Sequence, residues 1–138
     1  MKSRTYQTRS EEETIALGRD LGRELTGGVV LLIGNLGAGK TTLAKGIVEG
    51  REAGIGDEVS SPTFTLIHQY GPVFHIDLYR LDEVREVETL GLDDLFASGA
   101  LVLIEWGERF PQLLPSERTE IRLRALDDDS REITVKEV

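Results

Sequence analysis

Cysteine is absent from the chain. Its absence excludes disulfides, thiolate zinc sites and thiol nucleophiles. No apolar run comes near the roughly 20 residues that a transmembrane helix needs. The start, Met1-Lys2-Ser3-Arg4-Thr5-Tyr6-Gln7, lacks the apolar stretch of a signal peptide, so the expected compartment is the cytoplasm, away from any membrane. Positive charge is in short supply. Sixteen basic residues stand against 25 acidic ones, a net charge of −9. A surface of that sign repels phosphate backbones at long range and speaks against independent nucleic-acid binding. An acidic protein can still act on a nucleic acid through a basic partner. Internal repeats and low-complexity tracts are also missing. What is present is 138 residues, 39% hydrophobic and 30% charged. That suits one globular domain over 1–138, burying about two-thirds of its unfolded surface.

The chain is organised around Val29-Val30-Leu31-Leu32-Ile33, followed by Gly34-Asn35-Leu36-Gly37-Ala38-Gly39-Lys40-Thr41-Thr42. The apolar run reads as a strand buried on both faces. From Gly34 to Thr41 the residues fit G-x-x-x-x-G-K-T, the phosphate-binding loop pattern. Phosphate oxygens need several donors converging on one point, and backbone N–H groups supply them when a loop can curl around the anion. Glycines allow that curl and the close approach. A helix that begins near Gly39 or Lys40 turns its free N–H groups and positive dipole end toward the phosphates. The Lys40 ammonium can then reach the β- and γ-phosphates, and the Thr41 hydroxyl can ligate Mg²⁺. The bland alternative is a glycine-rich strand-to-helix turn that only packs tightly. The helical run from Thr42 to Val48 directly after the loop favours the phosphate reading. An N-K-x-D guanine-reading motif is missing, which leaves the choice of base open.

Taken in order, residues 3–8 alternate weakly and predict a short edge strand. Ser10-Glu11-Glu12-Glu13 predicts a capping box, with Ser10 at the N-cap. The helix should run to about Leu25 with Leu17, Leu21 and Leu25 on one face. Gly18 and Gly22 weaken it unless something packs closely there, and Thr26-Gly27-Gly28 stops it. After the phosphate-loop helix, Gly50 to Asp57 predicts a polar loop. Ser61-Pro62-Thr63 reads either as a turn before a strand or as a loop whose Ser61 or Thr63 senses the γ-phosphate. Phe64–Tyr70 and Val73–Tyr79 should form an antiparallel hairpin, because Gly71-Pro72 is too short for a helical crossover. That antiparallel piece is expected to adjoin the parallel phosphate-loop strand. Asp82 is a candidate cap for a short helix over 83–89, and a second helix is predicted over 90–98. Gly99 to Trp106 carries the other strongly apolar strand, followed by a loop or short helix over 107–115. Residues 119–126 and 131–136 alternate around the Asp127-Asp128-Asp129-Ser130 turn and predict a C-terminal hairpin. The fold class is α/β, a mixed parallel/antiparallel sheet flanked by helices.

Asp77 and Glu105 both stand at the C-terminal ends of apolar strands, where open α/β sheets bind ligands. An acid there can ligate Mg²⁺ directly or through water, or orient the attacking water. Glu105 follows Leu101-Val102-Leu103-Ile104, as a Walker B acid follows its strand. Asp77 has a competing reading as a helix cap. Trp106 is either core packing or a neighbour of the site. His75, between Phe74 and Ile76, reads as a structural histidine rather than a base. Arg80, Arg109 and Arg131 are possible phosphate contacts, each with a solvated surface reading beside it.

With these residues collected, the chain resembles the TsaE family of bacterial tRNA threonylcarbamoyladenosine biosynthesis ATPases. The resemblance lies in Gly34–Thr42, in Ser61-Pro62-Thr63-Phe64-Thr65-Leu66, in His75-Ile76-Asp77-Leu78-Tyr79-Arg80-Leu81 and in Leu103-Ile104-Glu105-Trp106. It runs from about Ser10 to Arg131. It implies a small mixed-sheet P-loop fold, weak ATPase activity with ATP and Mg²⁺, and two partners, TsaD and TsaB. That pair modifies the tRNA adenosine next to the anticodon, so tRNA is engaged indirectly. By resemblance, Lys40, Asp77 and Glu105 are catalytic and Thr41 and Glu105 hold the metal. The nucleotide would be held by Glu11, Asn35, Leu36, Gly37, Ala38, Gly39, Lys40, Thr41, Thr42 and Arg131. Gly107 departs from the pattern, since many relatives carry proline there. Two other function classes share the phosphate loop. One is a small-molecule kinase, which needs an acceptor pocket and an arginine-bearing lid. The other is a binding module in which the nucleotide only changes a surface.

Overall fold

The computed structural model describes residues 3–51 and 66–138. Its elements are β1 (Ser3–Thr8), α1 (Glu11–Glu24), β2 (Gly28–Ile33), α2 (Lys40–Gly50), β3 (Ile67–Tyr70), β4 (Val73–Asp77), α3 (Val84–Glu88), α4 (Leu92–Ala97), β5 (Leu101–Glu105), β6 (Thr119–Ala125) and β7 (Arg131–Glu137), with 3-10 turns over Gly107–Arg109 and Pro111–Leu113. Successive side chains of a strand point to opposite faces, and in β2 both faces are covered. Val30 and Leu32 join a core with Leu21 of α1, Leu43, Ile47 and Val48 of α2, Leu101 and Leu103 of β5, and Ile121 of β6. Val29 and Leu31 join a second core with Ile76, Val102 and Ile104, under Val87 of α3 and Leu92 of α4. The sheet therefore sits between α1 and α2 on one side and α3 and α4 on the other.

The strand order is β1-β7-β6-β2-β5-β4-β3. β5 and β6 flank β2, both parallel to it, and β4 pairs parallel with β5. The antiparallel piece thus does not adjoin the phosphate-loop strand, contrary to expectation. The hairpin of β3 and β4 forms, but its β4 reaches β2 only through β5. The reason lies in β5, which is buried along its whole length and so takes a place between two neighbours rather than at an edge. The C-terminal hairpin of β6 and β7 forms as expected, and its β6 also extends the parallel sheet. β1 closes that edge against β7. Asp127 Oδ1 accepts the N–H groups of Ser130 at 2.7 Å and Asp129 at 2.9 Å. These bonds, the one from Ser130 first, hold its carboxyl below the usual carboxylate range.

Caps follow the predicted chemistry with two shifts. Ser10 Oγ accepts from Glu13 N–H at 3.1 Å, while Glu13 Oε1 reaches back to Arg9 N–H at 3.0 Å rather than to Ser10. Helix α3 is capped by a Glu83–Glu86 box, not by Asp82. The Asp82 carboxylate instead meets Arg109 Nη2 at 3.4 Å. Segments 52–57 and 61–65, including Ser61 and Thr63, lie outside the described residues.

The glycines of α1 have a clear physical task. A Cβ on Gly18 would lie 2.5 Å from the Leu43 carbonyl oxygen and 2.9 Å from Gly46 Cα. A Cβ on Gly22 would meet the Ile47 carbonyl, one on Gly46 the Ile15 carbonyl, and one on Gly50 the Arg19 carbonyl. Both helices thus present glycines one turn apart and touch backbone to backbone. The helix carrying the phosphate loop is seated on α1 at the shortest possible distance. Gly46→Ala should therefore lower stability by about 1–3 kcal/mol through overpacking, even though alanine favours a helix by about 1 kcal/mol. The measurement is the urea midpoint at unchanged slope. A raised midpoint would show that the helices do not need this contact.

Candidate nucleotide site

Register fixes where the two acids fall. Leu32 of β2 is opposite Glu105 of β5, and Asp77 of β4 is opposite the same Glu105. All three strands run in one direction, so both acids end beside the loop that leaves β2 at Gly34. In that loop Gly37 has φ 80° and Gly39 φ 101°, values that an L side chain rarely adopts. Gly39 is the N-cap of α2, so the positive end of that helix opens on the loop.

Lys40 is buried. Its Nζ donates to the Gly34 carbonyl at 2.8 Å and lies 3.6 Å from the centre of the Trp106 ring. Burial pushes its ammonium below the ordinary lysine range, opposed by the charges of Glu105, Glu108 and Asp77. Trp106 is the one non-glycine residue with positive φ among the described residues, at 67°. That uncommon backbone directly follows Glu105. The indole also packs on Tyr79, ring centres 5.1 Å apart.

Glu105 and Asp77 are buried. Thr41 Oγ1 donates to Glu105 Oε2 at 3.4 Å, and His75 Nε2 lies 2.5 Å from the same oxygen. Asp77 Oδ1 accepts the Tyr79 N–H at 2.9 Å, so Asp77 both closes the turn after β4 and faces the site. Arg131 ties the loop to the C-terminal hairpin. Its guanidinium donates to Ala38 O at 3.0 Å and Gly37 O at 3.2 Å, and to the Asp127, Asp128 and Ser130 carbonyls.

These residues enclose a cavity of about 470 Å³, lined by Leu36, Gly37, Gly39, Lys40, Thr41, Thr42, Asp77, Tyr79, Glu105, Trp106 and Arg131. A smaller cavity of about 110 Å³ shares Gly39, Thr42 and Arg131 with it and adds Glu11, Thr14, Asp128 and Asp129. Of the predicted site residues, Asn35 and Ala38 line neither cavity. Ala38 is buried, and the two are joined within the loop, Ala38 N–H donating to Asn35 O at 3.0 Å. Arg80 and Arg109 are not brought to the cavity either. Arg109 donates to the Tyr79 carbonyl at 2.7 Å, and Arg80 is exposed. Gly107 packs tightly, since a Cβ there would lie 2.6 Å from Leu31 Cδ1.

Two residues escaped the sequence reading. Tyr79 forms part of the rim and is 47% exposed, with nothing in its spacing to mark it. Glu108, in the 3-10 turn after Trp106, faces Lys40, and its Oε1 is buried without a partner among the described residues. Burial holds its carboxyl above the usual range, opposed by its own backbone N–H and then by Lys40, Arg122 and Arg109. A charged residue in a loop carries no pattern that would have found it.

The donors suit a magnesium–nucleotide. Mg²⁺ takes hard oxygens at about 2.0–2.1 Å and is commonly held by one or two protein groups plus substrate phosphates. Adjacent octahedral ligands then stand about 3 Å apart, close to the 3.4 Å between Thr41 Oγ1 and Glu105 Oε2. Among the described residues, no three His, Asp, Glu or Cys side chains form a metal cage of their own. An ion here would complete its shell with phosphate oxygens and water.

A family model described as threonylcarbamoyl adenosine biosynthesis protein TsaE matches residues 8–133. The chain belongs to the TsaE family. Among its relatives is the tRNA threonylcarbamoyladenosine biosynthesis protein TsaE of Bacillus subtilis, 42% identical over 97% of this chain and 85% of that one. The protein of the same name from Treponema pallidum is 41% identical over 93% and 96%. A crystal structure of Bacillus subtilis YdiB superposes with a TM-score of 0.77 at 35% identity, over 99% of this chain and 86% of that one. This TsaE-family fold thus places the phosphate loop, both strand-end acids and Arg131 around one cavity. Among the described residues, no helix is long and apolar enough to cross a membrane.

The Arg131 clamp makes a prediction. Arg131→Ala should raise amide hydrogen exchange at residues 36–40 by roughly tenfold, since hydrogen bonds from a charged group contribute about 1.5–3 kcal/mol. Arg131→Lys should not restore protection, because an ammonium cannot span both carbonyls as the guanidinium fork does. Unchanged exchange in Arg131→Ala would remove the clamp from the account.

Proposed function

We propose that this TsaE-family chain is a Mg²⁺-dependent ATPase that serves threonylcarbamoyl modification of the tRNA adenosine next to the anticodon, working with the TsaD–TsaB pair. The names of its relatives support the tRNA-modification setting. The observation that carries the ATPase reading is the convergence of Lys40, Thr41, Asp77 and Glu105 on one cavity at the end of a glycine loop.

The residues divide the work. The loop N–H groups and the α2 terminus hold phosphate oxygens. Lys40 gives up its bond to the Gly34 carbonyl and swings to the β- and γ-phosphates. Thr41 and Glu105 would hold the metal, and Asp77 would orient the attacking water. Mg²⁺, when bound, would supply positive charge against the charge that develops during phosphoryl transfer. Trp106 and Tyr79 wall one side of the cavity. Glu11 lies across the neighbouring cavity, where the rest of the nucleotide would extend. Slow turnover of the isolated chain is expected, because among the described residues Arg131 is the arginine that lines the cavity, and its guanidinium is already engaged by the loop and hairpin carbonyls. A partner can supply an arginine in trans. The −9 charge suits docking to a basic surface rather than to tRNA itself.

Three outcomes are expected. Lys40→Ala should weaken ATP binding by on the order of 2–4 kcal/mol with the fold intact, as read by calorimetry alongside circular dichroism. Glu105→Gln should reduce Mg²⁺-dependent hydrolysis far more than nucleotide affinity, and parental turnover at saturating Mg²⁺ would remove Glu105 from the site. The third compares the chain alone with the chain plus TsaD–TsaB, reading ATP turnover and tRNA binding. The pair should change the turnover, and the lone chain should not bind tRNA at submicromolar concentration.

A further inference from the structure

His75 is fully buried on β4. It stands opposite Leu103, two residues before Glu105, so His75 and Glu105 are diagonal neighbours on one face of the β4–β5 pair. Its Nε2 lies 2.5 Å from Glu105 Oε2, while Nδ1 has no hydrogen-bond partner among the described residues. The two nitrogens are therefore unequal. A proton on Nδ1 would be a buried donor without an acceptor, which is costly, whereas a proton on Nε2 is matched by the carboxylate. The same Glu105 oxygen also takes the Thr41 hydroxyl at 3.4 Å. Among the described residues, the side-chain hydrogen bond of this core histidine is thus directed at the acid that also meets Thr41.

We propose that His75 is a positioning residue for Glu105: its Nε2–H holds the carboxylate in the orientation that faces Thr41, setting the metal-binding pair before the nucleotide arrives. The inference rests on Glu105 acting as a Mg²⁺ ligand. A residue that only fills the core would be replaceable by an apolar side chain of similar size. A positioning donor would be replaceable only by another donor. Groups that orient a metal ligand typically change metal affinity by about 10–100-fold when removed.

The test compares the parent chain, His75→Leu and His75→Gln by calorimetry with a non-hydrolysable ATP analogue, in EDTA and in Mg²⁺. Affinity in EDTA should stay within about twofold for all three, while the tightening caused by Mg²⁺ should fall about tenfold in His75→Leu. His75→Gln, whose amide N–H can reach the Nε2 position, should keep most of it. Mg²⁺ tightening that survives in His75→Leu overturns the inference and leaves the Glu105 reading standing. No Mg²⁺ effect in the parent chain overturns both. A second measurement needs no His75 variant and covers the case in which His75→Leu does not fold. Ring ¹⁵N spectra of the unsubstituted protein should show the proton on Nε2 of His75, with a signal that moves in Glu105→Gln. A proton on Nδ1, or a signal indifferent to Glu105→Gln, overturns the proposal.

Discussion

Hydrogen bonding of β5 between β2 and β4 is the constraint from which the site follows. A parallel ladder aligns strand ends, so the last residues of three strands and the loop leaving β2 share one edge. Asp77 and Glu105 are register partners, and Glu105 is also opposite Leu32, two residues before the loop. A slip of one residue in either pair would turn an acid to the opposite face of the sheet. Burial of β5 on both faces makes such a slip costly, because its apolar residues contribute alternately to both cores.

The loop itself is held from two sides. Below it, α2 lies on α1 with glycine against carbonyl, so the helix cannot retreat from the sheet without opening a gap in the core that contains Leu43 and Ile47. From the side, Arg131 engages the Gly37 and Ala38 carbonyls. The guanidinium satisfies those two carbonyls and fixes the curl of the loop. Preorganisation of this kind limits the reorganisation needed when charge arrives.

Electrostatics give the same edge its character. The charges of Glu105, Glu108 and Asp77 act on Lys40, so three carboxyl groups bear on this one ammonium before any ligand enters. A polyphosphate alone would meet those carboxylates unfavourably, whereas a divalent cation between them changes the sign of the interaction. The proposed Mg²⁺ dependence and the His75 contact to Glu105 both concern how that acidity is managed.

Much of this was legible in the chain. The apolar run before Gly34, the glycine spacing, the strand-end positions of Asp77 and Glu105, the Ser10 cap and both hairpins rest on local rules of period, turn chemistry and capping, and the structure bears them out. The antiparallel hairpin was misplaced relative to β2, since strand order depends on which apolar strand is buried most completely, and several runs looked alike in that respect. The cap of α3 falls on Glu83 rather than Asp82, and the Asp82 carboxylate meets Arg109, far off in sequence.

The sequence by itself marked the glycine loop, the helix that follows it and the strand-end places of the two acids, because each rests on contiguous residues and on local rules of period and turn chemistry. Only tertiary structure decided which distant groups meet them. Arg131 reaches the loop because β7 folds back along β6. Trp106 covers Lys40 and Glu108 faces it because the chain turns with positive φ after β5. Histidine 75 became a partner of Glu105 rather than an anonymous core residue because two parallel strands, joined through α3 and α4, set them diagonally on one face. Contacts of that kind depend on register between segments, and no local pattern encodes it.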